Sequence, residues 1–208
     1  MQPVESPPQA ASQLYSQSEK ERSELFVKFI DVLFAVVIGQ SFGFLSSAQG
    51  GASWVTNISQ NVIALGDAVL FYALIISSWI GYHASVKSLP IKNVSRFFVD
   101  VVLLFSYSLA LANLKSFINT SFIISAVFTL YFLWGLIRLF EYADKNVRSQ
   151  YQMIGRAALS GTFAILFLAV AVLVYVNPDP TIQGIFLSIS FALIISYRIL
   201  LQTKLKWP

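Results

Sequence analysis

Read from the N-terminus, the chain is polar at first and turns apolar at residue 25. Residues 1–24, "MQPVESPPQAASQLYSQSEKERSE", are rich in Pro, Ser and Gln and end in a run of charges. Six mostly apolar stretches follow, at 25–45, 60–82, 95–114, 119–140, 155–176 and 181–201. Each is close to the ~20 residues a helix needs to cross a bilayer. The connections, such as "SSAQGGASWVTNISQN", "ASVKSLPIKN" and "NPDPT", carry polar and turn-forming residues. No polar stripe is wide enough for a soluble bundle, and the alternation of a membrane barrel is absent. The pattern predicts an all-α integral membrane protein with six transmembrane helices. Residues 1–24 are expected to be a flexible cytoplasmic tail ending in a charged helix start, 25–201 the membrane domain and 202–208 a short cytoplasmic end. The tail lacks the basic and small-residue signals of a cleaved leader.

Lysine and arginine positions orient the six spans. Lys20, Arg22, Lys28, Lys87, Lys92, Arg96, Arg138, Lys145, Arg148, Arg156, Arg198, Lys204 and Lys206 fall on one side, and Lys115 alone on the other. Cytoplasmic loops carry the excess of cations. Both termini are therefore expected in the cytoplasm, with the Trp54 loop outside.

Composition agrees: 56% of the 208 residues are hydrophobic and 12% are charged, against ~25% charged in a typical soluble domain. There is no cysteine and one histidine, which argues against thiol chemistry and a zinc or iron site. A formal charge of +4, scattered along the chain, gives no nucleic-acid signature. The lipid bilayer is the expected partner, and no cofactor is implied.

Charges at membrane depth carry the functional signal, because each costs ~2.5–3.5 kcal/mol at the helix centre on insertion scales. Asp31 lies early in the first span, His83 closes the second, and Asp100 lies about one turn into the third. With Lys28 and Arg96 close by, they are expected to form one polar layer at the inner end of three consecutive helices. Opposite charges at one depth stabilise each other's charged forms. Such a layer is either a structural clasp or a gate. Asp67, toward the outer end of the second span, has no cation near it in sequence. It either attracts cations at an aqueous vestibule or binds a neighbouring helix through backbone or hydroxyl groups.

Three stretches resemble a known family. "FIDVLFAVVIG" (29–39) is similar to the first-helix signature of the transmembrane protein 175 potassium channels, Phe-Ser-Asp followed by a small or aliphatic run. "SSWIGYHASV" (77–86) is similar to its Trp-x-x-x-His, here Trp79 and His83, and "TLYFLWGLIRLFEYA" (129–143) resembles its fourth helix. The likeness covers about residues 25–143 and departs from the pattern in places. Ile30 stands where the family has serine, Leu25 where it has an arginine, and Asp100 where it tends to have asparagine. These departures put the family's Arg–Asp–His network in question in its details and mark a divergent branch. What the resemblance implies is a homotetrameric, potassium-conducting channel of a prokaryotic plasma membrane. Phe29 and Trp79 would be packing residues of the motifs, and the pore would be lined by the first helix. The family's aliphatic constriction would be Val36, five positions after the aspartate, with Gln40 and Gly43 on the same helical face. Gly39 replaces a hydroxyl residue, which would weaken selectivity for K+.

Other functions remain open at this stage. A non-conducting scaffold or partner subunit fits the plain apolar fifth and sixth spans, and a small transporter is a further alternative. An intramembrane aspartyl enzyme needs two carboxylates at one depth sharing a proton. Asp67 in "ALGD" lies far in depth from Asp31 and Asp100, so the chain is not expected to be an enzyme.

Overall fold

Six helices make up the computed structural model, which describes residues 7–47, 58–88, 91, 93–113, 116–142 and 147–203. They are α1 (Pro7–Ser47), α2 (Ile58–Ser88), α3 (Val94–Ala112), α4 (Phe117–Glu141), α5 (Val147–Val176) and α6 (Pro180–Thr203). No strand occurs among the described residues. Five segments, within α2 to α6, are long and apolar enough to cross a membrane: 65–86, 94–112, 117–141, 150–176 and 180–202. Each overlaps one predicted span.

α1 differs from expectation. It begins at Pro7, so residues 7–24, expected as a flexible tail, continue the helix upstream of residue 25. Proline in the first turn removes a donor that has no partner there anyway. The Ala, Gln, Glu, Lys and Arg that follow are good helix formers. Gln17 donates to Glu21 one turn on, at 3.2 Å. The Trp54 loop, Lys92, Lys115, Lys145 and the end of the chain from 204 lie outside the described residues.

Caps mark the short connections. Asn93 opens α3, its side-chain oxygen accepting from the Ser95 N–H at 2.9 Å, and Ser116 does the same for α4 from Asn119. Asp179 opens α6, accepting from the Thr181 and Ile182 N–H groups at 2.8 and 3.3 Å, with Pro180 in the first helical position. Asp179 is fully exposed, and those two N–H groups hold its carboxyl below the ordinary value of 3.8.

The core draws on all six helices. Phe128 of α4 stacks on Phe167 of α5 at 4.8 Å and meets Tyr197 of α6 edge-on at 4.9 Å. Such aromatic pairs contribute ~0.5–1.5 kcal/mol each beyond area burial. α4 and α5 approach most closely where Gly135 faces Ala157; a Cβ on Gly135 would lie 2.9 Å from the Ala157 Cβ. Small residues permit this approach, and close packing is a main force between helices in lipid. The Ser125 hydroxyl adds a bond across the pair to the Ala164 carbonyl, at 3.0 Å. α1 leans on α3 through Phe26 stacked on Phe97 at 4.5 Å, and buries Ile30, Phe34 and Val37. Its other face is largely exposed.

Two outcomes follow. Gly135→Ala forces an overpacked contact and is expected to destabilise the protein by ~1–3 kcal/mol. By contrast Gly39→Ala, with nothing within 4 Å of the new carbon, is expected to leave stability unchanged or raise it. Thermal unfolding in detergent separates the two. Because the Asp179 carboxyl titrates lower in the folded chain than in the unfolded one, its contribution is present above pH 3.8 and is lost as the pH falls through the folded value. Asp179→Ala is therefore expected to lower the unfolding midpoint near neutral pH. The gap from the wild type should close progressively below pH 3.8, as pH-dependent unfolding scans would show.

Candidate functional site

The residues at one end of the bundle come from α1 near Asp31, the last turns of α2, α4 and α6, and the first turns of α3 and α5. Alternating chain direction brings these segments to the same depth. The expected polar layer is there, divided into two clusters with different burial.

The first cluster is Asp31, His83 and Trp79. His83 Nε2 lies 2.8 Å from Asp31 Oδ1, and the Trp79 indole N–H donates to the same oxygen at 3.3 Å. The Trp79 and His83 rings meet edge to face at 4.9 Å, one turn apart on α2. Trp79 is therefore more than a packing residue: it shares the carboxylate with the histidine. The pair is only part-buried, with 39% of the His83 and 38% of the Asp31 side chain accessible. Exposure of that order leaves an ion pair worth ~0–1 kcal/mol. Lys28, expected beside Asp31, is exposed and forms no ion pair among the described residues.

The second cluster is deeply buried. The Arg96 side chain is wholly inaccessible and pairs with Glu141 at 3.3 Å, and the Glu141 side chain is itself 3% accessible. Arg96 also donates to the Ser85 hydroxyl of α2 at 3.3 Å. The second Glu141 oxygen accepts the backbone N–H of Asn93, tying the end of α4 to the start of α3. The Trp134 ring lies between two cations, with the guanidinium carbons of Arg96 4.5 Å and of Arg138 5.0 Å from its centroid. Asp100 is buried one turn beyond Arg96 on α3. The structure thus joins Arg96 to Glu141 and leaves Asp31 to His83.

Glu141, Ser85, Trp134 and Arg138 were not among the sequence candidates. A signal existed: Arg138 and Glu141 close the fourth span at the depth where Arg96 opens the third. A charge pair at matching ends of neighbouring spans is a legible prompt to look for a bond.

Asp67 departs from the vestibule alternative. It is completely buried, and Oδ2 accepts the Thr120 hydroxyl proton of α4 at 2.8 Å. Burial sets the carboxylate against a hydroxyl of α4, the kind of partner the helix-binding alternative names. Thr120 sits in the first turn of α4, where the helix dipole favours a negative group.

On α1, Leu25, Phe29, Val32 and Val36 are all exposed, Val36 to 47%, and Gly39 has open space around it. With Gly43, whose side of the helix lies outside the described side chains, they recur at alternating steps of four and three residues. That is the spacing of a seam between packed helices. Gln40 lies at its edge, exposed, taking a long 3.4 Å bond from the Ser108 hydroxyl of α3.

No family model, curated protein or solved structure matches the chain.

Removing one member of the buried pair strands the other charge. Glu141→Ala is expected to cost ~3–5 kcal/mol, and Arg96→Met/Glu141→Leu to recover most of that loss. Asp31→Asn, at the exposed pair, is expected to cost ~1 kcal/mol or less. Equilibrium unfolding of the four proteins in mixed micelles tests the ranking.

Proposed function

We propose that the chain is the subunit of a homo-oligomeric cation channel whose pore is lined by α1, which then spans the membrane with both termini in the cytoplasm. The observation that carries the reading is the exposed apolar seam of α1, Leu25, Phe29, Val32, Val36 and Gly39, flanked by the exposed amide of Gln40. An apolar seam alone is satisfied by lipid. An exposed amide on the same helix, whose oxygen takes only a long 3.4 Å bond from the Ser108 hydroxyl among the described residues, is poorly satisfied by lipid, because polar groups in hydrocarbon are costly. Water or a second subunit at the seam satisfies both.

In an assembly built on that seam, four copies of α1 fit the tetramer implied by the potassium-channel resemblance. Val36 then forms the hydrophobic constriction, which gates by excluding water. Gln40 and Gly43 line the path beyond it, and K+ is the permeant ion. Asp31, held by His83 and Trp79 from α2, sits beside the seam and fixes the rotation of α1 about its axis. The cluster is then a support of the pore helix, and Asp31 is a positioning residue rather than an ion ligand.

Purified protein in liposomes is expected to pass K+ down its gradient, and Na+ more slowly. Val36→Ala is expected to raise flux or narrow the difference between the ions. Absence of flux above empty liposomes, from folded protein of verified oligomeric state, would refute the channel reading and leave a non-conducting membrane subunit.

A further inference from the structure

A cavity of about 100 Å³ opens within a single subunit, on the inner side of α1 and away from its exposed seam. By the same measure one water needs ~10–15 Å³, so the space admits a polyatomic group. Its lining is unusual in charge. Arg138, Arg156 and Arg198, from α4, α5 and α6, face it against one carboxylate, Asp100. The remaining nearby acid, Glu141, is held by Arg96 and by the Asn93 N–H.

Arg198 reaches across from α6 to the backbone of α2: a Cβ on Gly81 would meet its Nη1 at 3.4 Å. Its Nε and Nη2, buried, have no hydrogen-bond acceptor among the described residues, and neither has the buried hydroxyl oxygen of Tyr82. Both residues line the cavity. Two unpartnered donors, Arg198 and Tyr82, face a space lined by more cations than anions, which suits an acceptor carrying negative charge. Guanidiniums suit a phosphate group because their planar forks offer paired N–H donors.

We propose that this cavity binds a phosphomonoester group, held chiefly by Arg198, Arg156 and Arg138 with the Tyr82 hydroxyl as a further donor. Three guanidiniums against one carboxylate leave an excess of two positive charges. A phosphomonoester carries ~1.5–2 negative charges at neutral pH, which matches. The group arrives either on a lipid, as a phosphatidate headgroup, or as a small soluble phosphate. Ile30, Phe34 and Leu103, also in the lining, suit an apolar portion next to the phosphate. The proposal does not depend on conduction, since the cavity is complete within one subunit.

The test is ligand-dependent thermal unfolding of the full chain in detergent. Inorganic phosphate and short-chain phosphatidate are titrated in parallel, with phosphatidylcholine of equal chain length as the control. Binding to the folded state alone is expected to raise the midpoint by ~5 °C when ligand greatly exceeds its dissociation constant. A rise with both phosphate and phosphatidate supports a soluble phosphate site. A rise with phosphatidate alone supports a lipid headgroup site. Arg198→Gln is expected to lose the rise, and Arg198→Lys to keep part of it. Tyr82→Phe, which keeps the ring and removes only the hydroxyl, is expected to show a smaller rise and serves if Arg198→Gln does not fold. The proposal is overturned if neither phosphate source shifts the midpoint, or if phosphatidylcholine shifts it equally. An unchanged shift in Arg198→Gln overturns it as well; if that variant does not fold, an unchanged shift in Tyr82→Phe does so.

Discussion

A guanidinium removed from water needs a carboxylate within reach, and the Arg96–Glu141 bond meets that need at the most crowded point of the bundle. Its geometry has consequences on every side. Glu141 draws the end of α4 onto the start of α3 through both a side chain and the Asn93 backbone N–H. Arg96 reaches α2 through Ser85 and shares the Trp134 face with Arg138. Three helices are thereby tied at one end by groups that cannot easily be exchanged, because each unpartnered charge in low dielectric is expensive. α5 is held to this unit by the close approach of Ala157 to Gly135 and by stacked aromatic rings.

α1 packs beside this unit, with Ile30, Phe34 and Val37 in the same core. It meets α3 through aromatic contacts and α2 through the part-buried Asp31–His83–Trp79 cluster. The outward face of α1 carries the exposed apolar residues Leu25, Phe29, Val32 and Val36. The proposed pore uses that face, and the proposed phosphate site uses the cavity behind the helix. Ile30 and Phe34 line that cavity while Val32 and Val36 face away from it. Occupancy of the cavity therefore bears on the rotation and support of the helix that the channel reading places at the pore.

Polar groups at the opposite end follow the same rule with different means. Asp67 has no cation and takes a hydroxyl proton from Thr120, so a carboxyl bonds α2 to the first turn of α4. Asp179, fully exposed, caps its own helix. Two aspartates near one end of the bundle thus do different things because one is buried and the other is not.

Much of the fold was legible in the chain, because hydropathy is a property of consecutive residues and the bilayer imposes a length on them. Five spans coincide with helices of sufficient length and apolarity. α1 was read correctly as a helix beyond residue 25, while its upstream turns were missed because helix-forming polar residues carry no apolar period. Lys28, Asp31, His83, Arg96 and Asp100 were expected in one polar layer; Asp31 meets His83 and Arg96 meets Glu141, while Lys28 forms no ion pair among the described residues. Pairing was not legible. Whether Arg96 meets Asp100 or Glu141, and whether Asp67 faces water or Thr120, depends on how each helix is rotated about its axis. That rotation is decided by interlocking contacts such as Gly135 on Ala157, between residues distant in sequence. Local hydropathy is enough to predict the helices from residue 25 onward. Which charges meet, and that three arginines line one cavity, follows from packing between helices distant in sequence.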